Sequence, residues 1–192
     1  VCSCSSNTIS FEELPDNEIL DKYRSIYQIM PYSFADSNGD GIGDLNGIKD
    51  KVDYLSSLNY SGIWLTPVHP SETYHKYDVD NYKEIDPVFG TLEDYDALVS
   101  KLHEKKMTML LDLVINHSSD SNSWFIRSMN AHKNHQPNNR YYNYYNIIEL
   151  KPGESTPSGY TKNGNFAYES RFWSGMPDLN LQNVLDEPDG YL

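Results

Sequence analysis

Beyond its fourth residue the chain contains no cysteine; Cys2 and Cys4 are the two it has. That excludes a disulfide framework or a thiolate metal site in the body of the protein, and it leaves the redox compartment open. Basic residues are scarce as well, 15 Lys and Arg facing 28 Asp and Glu for a formal net charge of -13. Phosphate recognition needs clustered cations, so nucleic acid and an anionic membrane surface are excluded as partners, whereas a neutral or cationic ligand fits. No apolar run has the length of a membrane span. Internal repeats of solenoid period and low-complexity tracts are also absent.

What the chain does have is enough apolar residues to build a core, 38% of 192, and many aromatics, including 16 Tyr and 3 Trp. Flat aromatic faces suit sugar rings, although core packing also uses them. At the start, Val1 lies three residues before Cys4 and Ser3 just before it. This resembles the tail of a bacterial lipoprotein signal, with Ser5, Ser6 and Asn7 as tether, and implies a secreted or cell-surface lipoprotein with a lipid anchor. A plain chain boundary is the alternative.

An apolar strand is predicted from Ile26 to Pro31, followed by a Gly/Asp-rich loop and a helix with Leu45, Ile48, Val52 and Leu55 on its buried face. A second strand runs from Gly62 to Val68 and carries Trp64. Thr91 and Asp94 form a capping-box pattern before a helix lined by Leu92, Tyr95, Leu98, Val99 and Leu102. The helix closes on Lys105 and Lys106, and the almost continuously apolar Met107 to Ile115 reads as a third strand covered on both faces. Strand and helix alternating in this way predict βαβ units with a parallel sheet. The rhythm then stops: Ser118 to Gly175 is rich in Asn, Ser, Tyr, Pro and Gly and reads as an inserted small domain.

Two constellations carry chemistry. In the loop from Asp36 to Asp44, oxygen ligands alternate with glycines, the pattern that wraps a hard cation. Calcium is the expected guest, with Asp36, Asn38, Asp40 and Asp44 giving side chains and Ile42 its carbonyl; a solvated Asp/Gly turn is the alternative. Position twelve of an EF-hand loop would fall on Gly47, which excludes a calcium-sensor helix pair. The second is Asp112 to His117, DLVINH, at the carboxyl end of the third strand, where parallel α/β folds place functional residues. A carboxylate within an apolar strand needs a partner, so Asp112 should meet an Arg or hydrogen-bond donors.

In order along the chain, IYQIMPYSFADSNGDGIGD, GIWLTP, YHKYDVDNY, DLVINH and MPDLN resemble glycoside hydrolase family 13, the α-amylase family, within it the group intermediate between oligo-1,6-glucosidases and neopullulanases. The resemblance covers nearly everything from Tyr23 onward. It implies an α/β fold, a partial (β/α)8 TIM barrel comprising the first three strands, with domain B inserted after the third. Residues 1–22 would be a tail, 23–117 the first part of the barrel, 118–178 domain B and 179–192 a return to the barrel. The resemblance further implies that Tyr77 stacks under the sugar at the cleavage subsite with His75 and Asp78 nearby, that His117 binds that sugar's primary hydroxyl, and that Asp112 supports the region by pairing an Arg on the fourth strand. Asn116 and Asp178 match residues that bind an interdomain calcium. Lys76 stands where the family often has Gly, a departure that would narrow the glycone side. Tyr141, Tyr142, Tyr144, Tyr145, Phe172 and Trp173 are expected mainly to pack domain B against the barrel.

The implied substrate is an α-glucan or maltooligosaccharide, with α-1,4 cleavage expected and α-1,6 or neopullulanase-like specificity as the alternative. Retaining glycosidases place a nucleophile and an acid/base carboxylate roughly 5 Å apart. In the family these lie on the fourth and fifth strands, with a third Asp on the seventh, and the sequence ends at Leu192 before them. The expectation is a fragment with a grip but no chemistry, inactive alone. A non-catalytic carbohydrate-binding piece and a calcium-dependent structural or adhesion module are the alternatives from other classes.

Overall fold

The computed structural model describes residues 24–182. The tail at 1–22 with its lipoprotein-like Cys4, and most of the expected return to the barrel, lie outside the described residues.

Strands β1 (Ile26–Ile29), β2 (Gly62–Leu65) and β3 (Thr108–Leu111) form a parallel sheet in the order β1-β2-β3. Ile26 lies opposite Gly62, and Gly62 opposite Thr108. Each strand is shorter than the apolar run that predicted it. Pro31 does not end β1 but opens a short helix, α1 (Pro31–Phe34), because its fixed φ and missing N–H suit a helix's first turn. The run from Met107 to Ile115 is not covered on both faces among the described residues. Met109 and Leu111 pack on the core, while Leu110, Leu113 and Ile115 are exposed.

Helix α2 (Leu45–Ser57) buries Leu45, Ile48, Val52 and Leu55, as their spacing predicts. Asp44 caps it, accepting from Gly47 N–H at 2.7 Å. Gly47 is required for closeness: a Cβ there would stand 2.0 Å from the Ala35 carbonyl oxygen. Helix α3 (Leu92–Glu104) begins with the predicted Thr91/Asp94 capping box and buries Leu98 and Leu102. Leu92 is exposed instead of buried, since it opens the helix at the rim and the helix packs through its middle. The helices and one sheet face enclose a core built around Ile29, Ile48, Ile63, Leu65, Leu98 and Leu102.

Within 118–178 the structure contains more order than the composition suggested. Helix α4 (Ser123–Lys133) is capped by Asn122, and β4 (Ile147–Glu149), β5 (Tyr160–Asn163) and β6 (Phe166–Glu169) form an antiparallel sheet in the order β4-β6-β5. Asn163 pairs with Phe166, leaving a two-residue hairpin turn in which Gly164 has φ 66°. Phe125, Met129, Tyr144, Tyr145, Phe166 and Tyr168 form a second core. The tyrosine cluster therefore packs mainly within this segment instead of against the parallel sheet, and Phe172 and Trp173 are exposed. No helix of the described residues is long and apolar enough to cross a membrane.

Candidate substrate-binding site

The carboxyl ends of β2 and β3 and the turn after β2 bring Tyr77, Asp78, Asp112 and His117 together. Asp112 lies one residue past β3, its N–H still bonded to the Leu65 carbonyl at 2.9 Å. Its carboxylate accepts from Trp64 Nε1 at 2.8 Å on one oxygen and from the Tyr77 hydroxyl at 2.7 Å on the other. The donors that an Asp in this position demands are thus present without an Arg, and they join two strands to the turn that carries Tyr77. Burial first, and the bond to Asp112 second, push the Tyr77 phenol up to about 12. The phenol therefore stays protonated and continues to donate.

His117 is buried, and its Nε2 faces the Tyr77 carbonyl at 3.1 Å while Nδ1 lies 3.3 Å from Asn116 Nδ2. The two contacts are satisfied together when Nε2 carries the proton and Nδ1 accepts. Burial lowers the His117 pKa, which favours this neutral ring. A sugar hydroxyl reaching Nε2 would have to take the place of the Tyr77 carbonyl. Behind the ring, the Tyr82 hydroxyl donates to the His117 carbonyl at 2.7 Å.

Asp78 is 2% exposed and accepts from the Ser71 hydroxyl at 2.6 Å and from the Thr73 hydroxyl. It holds the turn and is not open to a ligand as described. His75 Nδ1 accepts from Tyr77 N–H at 3.1 Å, placing the ring proton on Nε2. Lys76 is buried. Its ammonium turns inward to Asp86 at 2.7 Å, and its backbone has φ 64°. Asn116 donates to Asp178 at 3.1 Å, and His117 and Asp178 form an isolated antiparallel bridge, so 118–178 returns to the sheet at this site.

Trp64, Ser71 and Thr73 are the site residues that sequence reasoning missed. Trp64 carried a signal: with strict alternation along β2, Trp64 must face away from the helices, where an indole N–H needs an acceptor.

In the Asp36 to Asp44 loop, Asp36 accepts from the Gly39 and Gly41 N–H groups at 2.7 and 2.9 Å, and these bonds lower its pKa. Gly39 and Gly41 have φ 82° and 90°, the conformation that winds the loop. Asp44 binds Ser37 in addition to capping α2. The donor set contains oxygen alone, which suits a hard cation. Among the described residues, no group of three or more His, Cys, Asp or Glu side chains converges on one point. Any cation in the loop would therefore also draw on Asn38 and carbonyl oxygens.

Residues 28–184 match the family model described as alpha amylase, catalytic domain. Alpha-amylase 3 of Dictyoglomus thermophilum is 43% identical over 167 residues, covering 87% of this chain and 32% of that protein. Oligo-1,6-glucosidase of Bacillus cereus is 41% identical over 177 residues, covering 86% of this chain and 31% of that protein. Among solved structures, Eubacterium rectale Amy13B superposes with a TM-score of 0.77 at 42% identity, covering 84% of this chain and 32% of that one. The isomaltulose synthase SmuA from Protaminobacter rubrum superposes with a TM-score of 0.75 at 37% identity, covering 88% and 30%. The chain thus spans about a third of the length of the curated relatives it matches.

Proposed function

The chain belongs to the α-amylase family of glycoside hydrolases, its parallel strands and helices forming a partial (β/α)8 barrel, and on that premise we propose that the protein hydrolyses α-glucosidic bonds with retention. The proposed substrates are starch-derived α-glucans and maltooligosaccharides cleaved at α-1,4 linkages. Cleavage at α-1,6 linkages is the alternative, favoured by the similarity to an oligo-1,6-glucosidase. The observation that carries the reading is the clamp of Trp64 and Tyr77 on Asp112, with His117 beside it. The clamp holds one aromatic ring at the carboxyl end of the sheet, where it can stack on a sugar. The acid/base and nucleophile carboxylates belong, by the family resemblance, to later strands; the residues described here bind and orient.

The test is an assay of the full-length protein on maltotriose and isomaltose, with the anomeric form of the first product followed by NMR. Retention is expected. Asp112→Asn, which leaves Trp64 or Tyr77 without an acceptor, should lower kcat/KM by on the order of tenfold or more, about the worth of one charge-assisted hydrogen bond. Inversion, or an unimpaired Asp112→Asn variant, would sink the proposal.

Two further features complete the reading. A Ca2+ ion is proposed at Asp36, Asn38, Asp40, the Ile42 carbonyl and Asp44, and a second at Asn116 and Asp178; both would stiffen the fold and take no part in bond cleavage. Export with a lipid anchor at Cys4 is proposed from Val1 to Cys4. Fatty-acid labelling that persists in Cys4→Ser would refute the anchor.

A further inference from the structure

We propose that Lys76 is a positioning residue, which holds the sugar-binding turn in place through a buried ion pair with Asp86; the inference rests on the reading of that turn as sugar-binding. Lys76 sits between His75 and Tyr77 in the left-handed region, φ 64°. A non-glycine residue keeps such a conformation only where its surroundings over-determine it. Here the side chain does so. Its ammonium lies 2.7 Å from Asp86 Oδ2, with the two side chains 9% and 12% exposed. It also donates to the Ser71 carbonyl at 2.9 Å and stands 5.7 Å from the ring centre of Phe89, a buried core residue.

Asp86 is itself fixed. Its N–H reaches the Val68 carbonyl at 2.8 Å, and its Oδ1 accepts from Val88 N–H at 3.0 Å. Lys76 therefore ties the start of the turn, Ser71, to a rigid point beyond its end. This side chain turns to the rear while His75 and Tyr77 remain in contact with each other at the front. Without the rear tie, Tyr77 would keep its phenol on Asp112 and its backbone contacts to His75 and His117, but the Ser71 carbonyl would lose its Lys76 donor and Asp86 would be a buried carboxylate with no cation.

The experiment compares the full-length protein with Lys76→Met, Asp86→Asn, the double variant and Tyr77→Ala, measuring thermal midpoint and steady-state kinetics on maltotriose. Lys76→Met should lower the midpoint and raise KM on the order of tenfold, with a smaller change in kcat, because loosened positioning weakens ground-state binding. The double variant removes the unpaired charge, so its midpoint should recover while KM stays raised. If Lys76→Met does not fold, the double variant carries the measurement. A positioning role is overturned if the double variant recovers midpoint and KM together, or if KM stays within about twofold of the parent in the Lys76 variants while Tyr77→Ala raises it. If Tyr77→Ala itself leaves KM unchanged, the turn does not bind sugar and the proposal falls with that reading.

Discussion

His117 shows how burial turns an ordinary side chain into one with a fixed proton. Burial is the main cause of its lowered pKa, opposed by the Tyr77 carbonyl and by the nearby charges of Asp178 and Asp78. The unfolded ring takes up a proton near 6.5, whereas the folded ring does so only at a lower pH. Its contribution to stability is thus complete above that value and is lost as pH falls below it toward the lowered one. His132, also lowered by burial, adds the same sign. The thermal midpoint should therefore fall as pH is taken from about 7.5 to 5.5, and less steeply in a His117→Gln, His132→Gln double variant. An identical slope in that variant would falsify the assignment. Among the site residues, Tyr77, Asp112 and His117 were legible because each sits in a motif. Trp64 and the Lys76 to Asp86 pair were not, since both depend on a partner far along the chain or on a backbone angle that residue identity conceals.

At the scale of elements, α2 and α3 were readable because their apolar spacing and caps are local. Helix α4 was hidden by a polar, tyrosine-rich composition, although its capping residue was there to see. Asn122 is 2% exposed; it accepts from Trp124 N–H at 2.8 Å and donates to the Val79 carbonyl at 3.1 Å. Asn122→Ala should cost about 2 kcal/mol, the sum of a cap and one buried hydrogen bond to the Val79 carbonyl, which keeps the Ser119 N–H at 3.0 Å, against about 1 kcal/mol for Thr91→Ala. Chemical denaturation of the full-length protein measures both, and equal losses would contradict the tether to Val79. The wound loop from Asp36 to Asp44 belongs to this scale too. If it holds calcium, chelation lowers the thermal midpoint and added Ca2+ restores it; an unchanged midpoint removes the loop assignment.

At the scale of the whole molecule, the decisive feature is the side of the parallel sheet that no described residue covers. Gln28, Trp64 and Leu110 are aligned across β1, β2 and β3 on the face away from the helices, and Trp64, Leu110, Leu113 and Ile115 are 39%, 50%, 63% and 44% exposed. A parallel sheet is normally covered on both faces, and an apolar edge strand invites pairing. Residues 24–182 produced as an isolated segment should self-associate as concentration rises, read by sedimentation velocity, and should not cleave maltotriose. A monomer that unfolds cooperatively and turns over substrate would overturn both expectations.

By itself the sequence determined the strand and helix alternation from β1 through β3, the buried faces of α2 and most of α3, the parallel sheet and the order of motifs that marks the family, because these are periodic or contiguous along the chain. Only the tertiary structure decided which groups meet. Asp112 finds the Trp64 indole and the Tyr77 phenol, Lys76 turns inward to Asp86, and the tyrosines of 118–178 form a core of their own. Such contacts join residues far apart in sequence or hang on a single φ angle, and no local pattern encodes them.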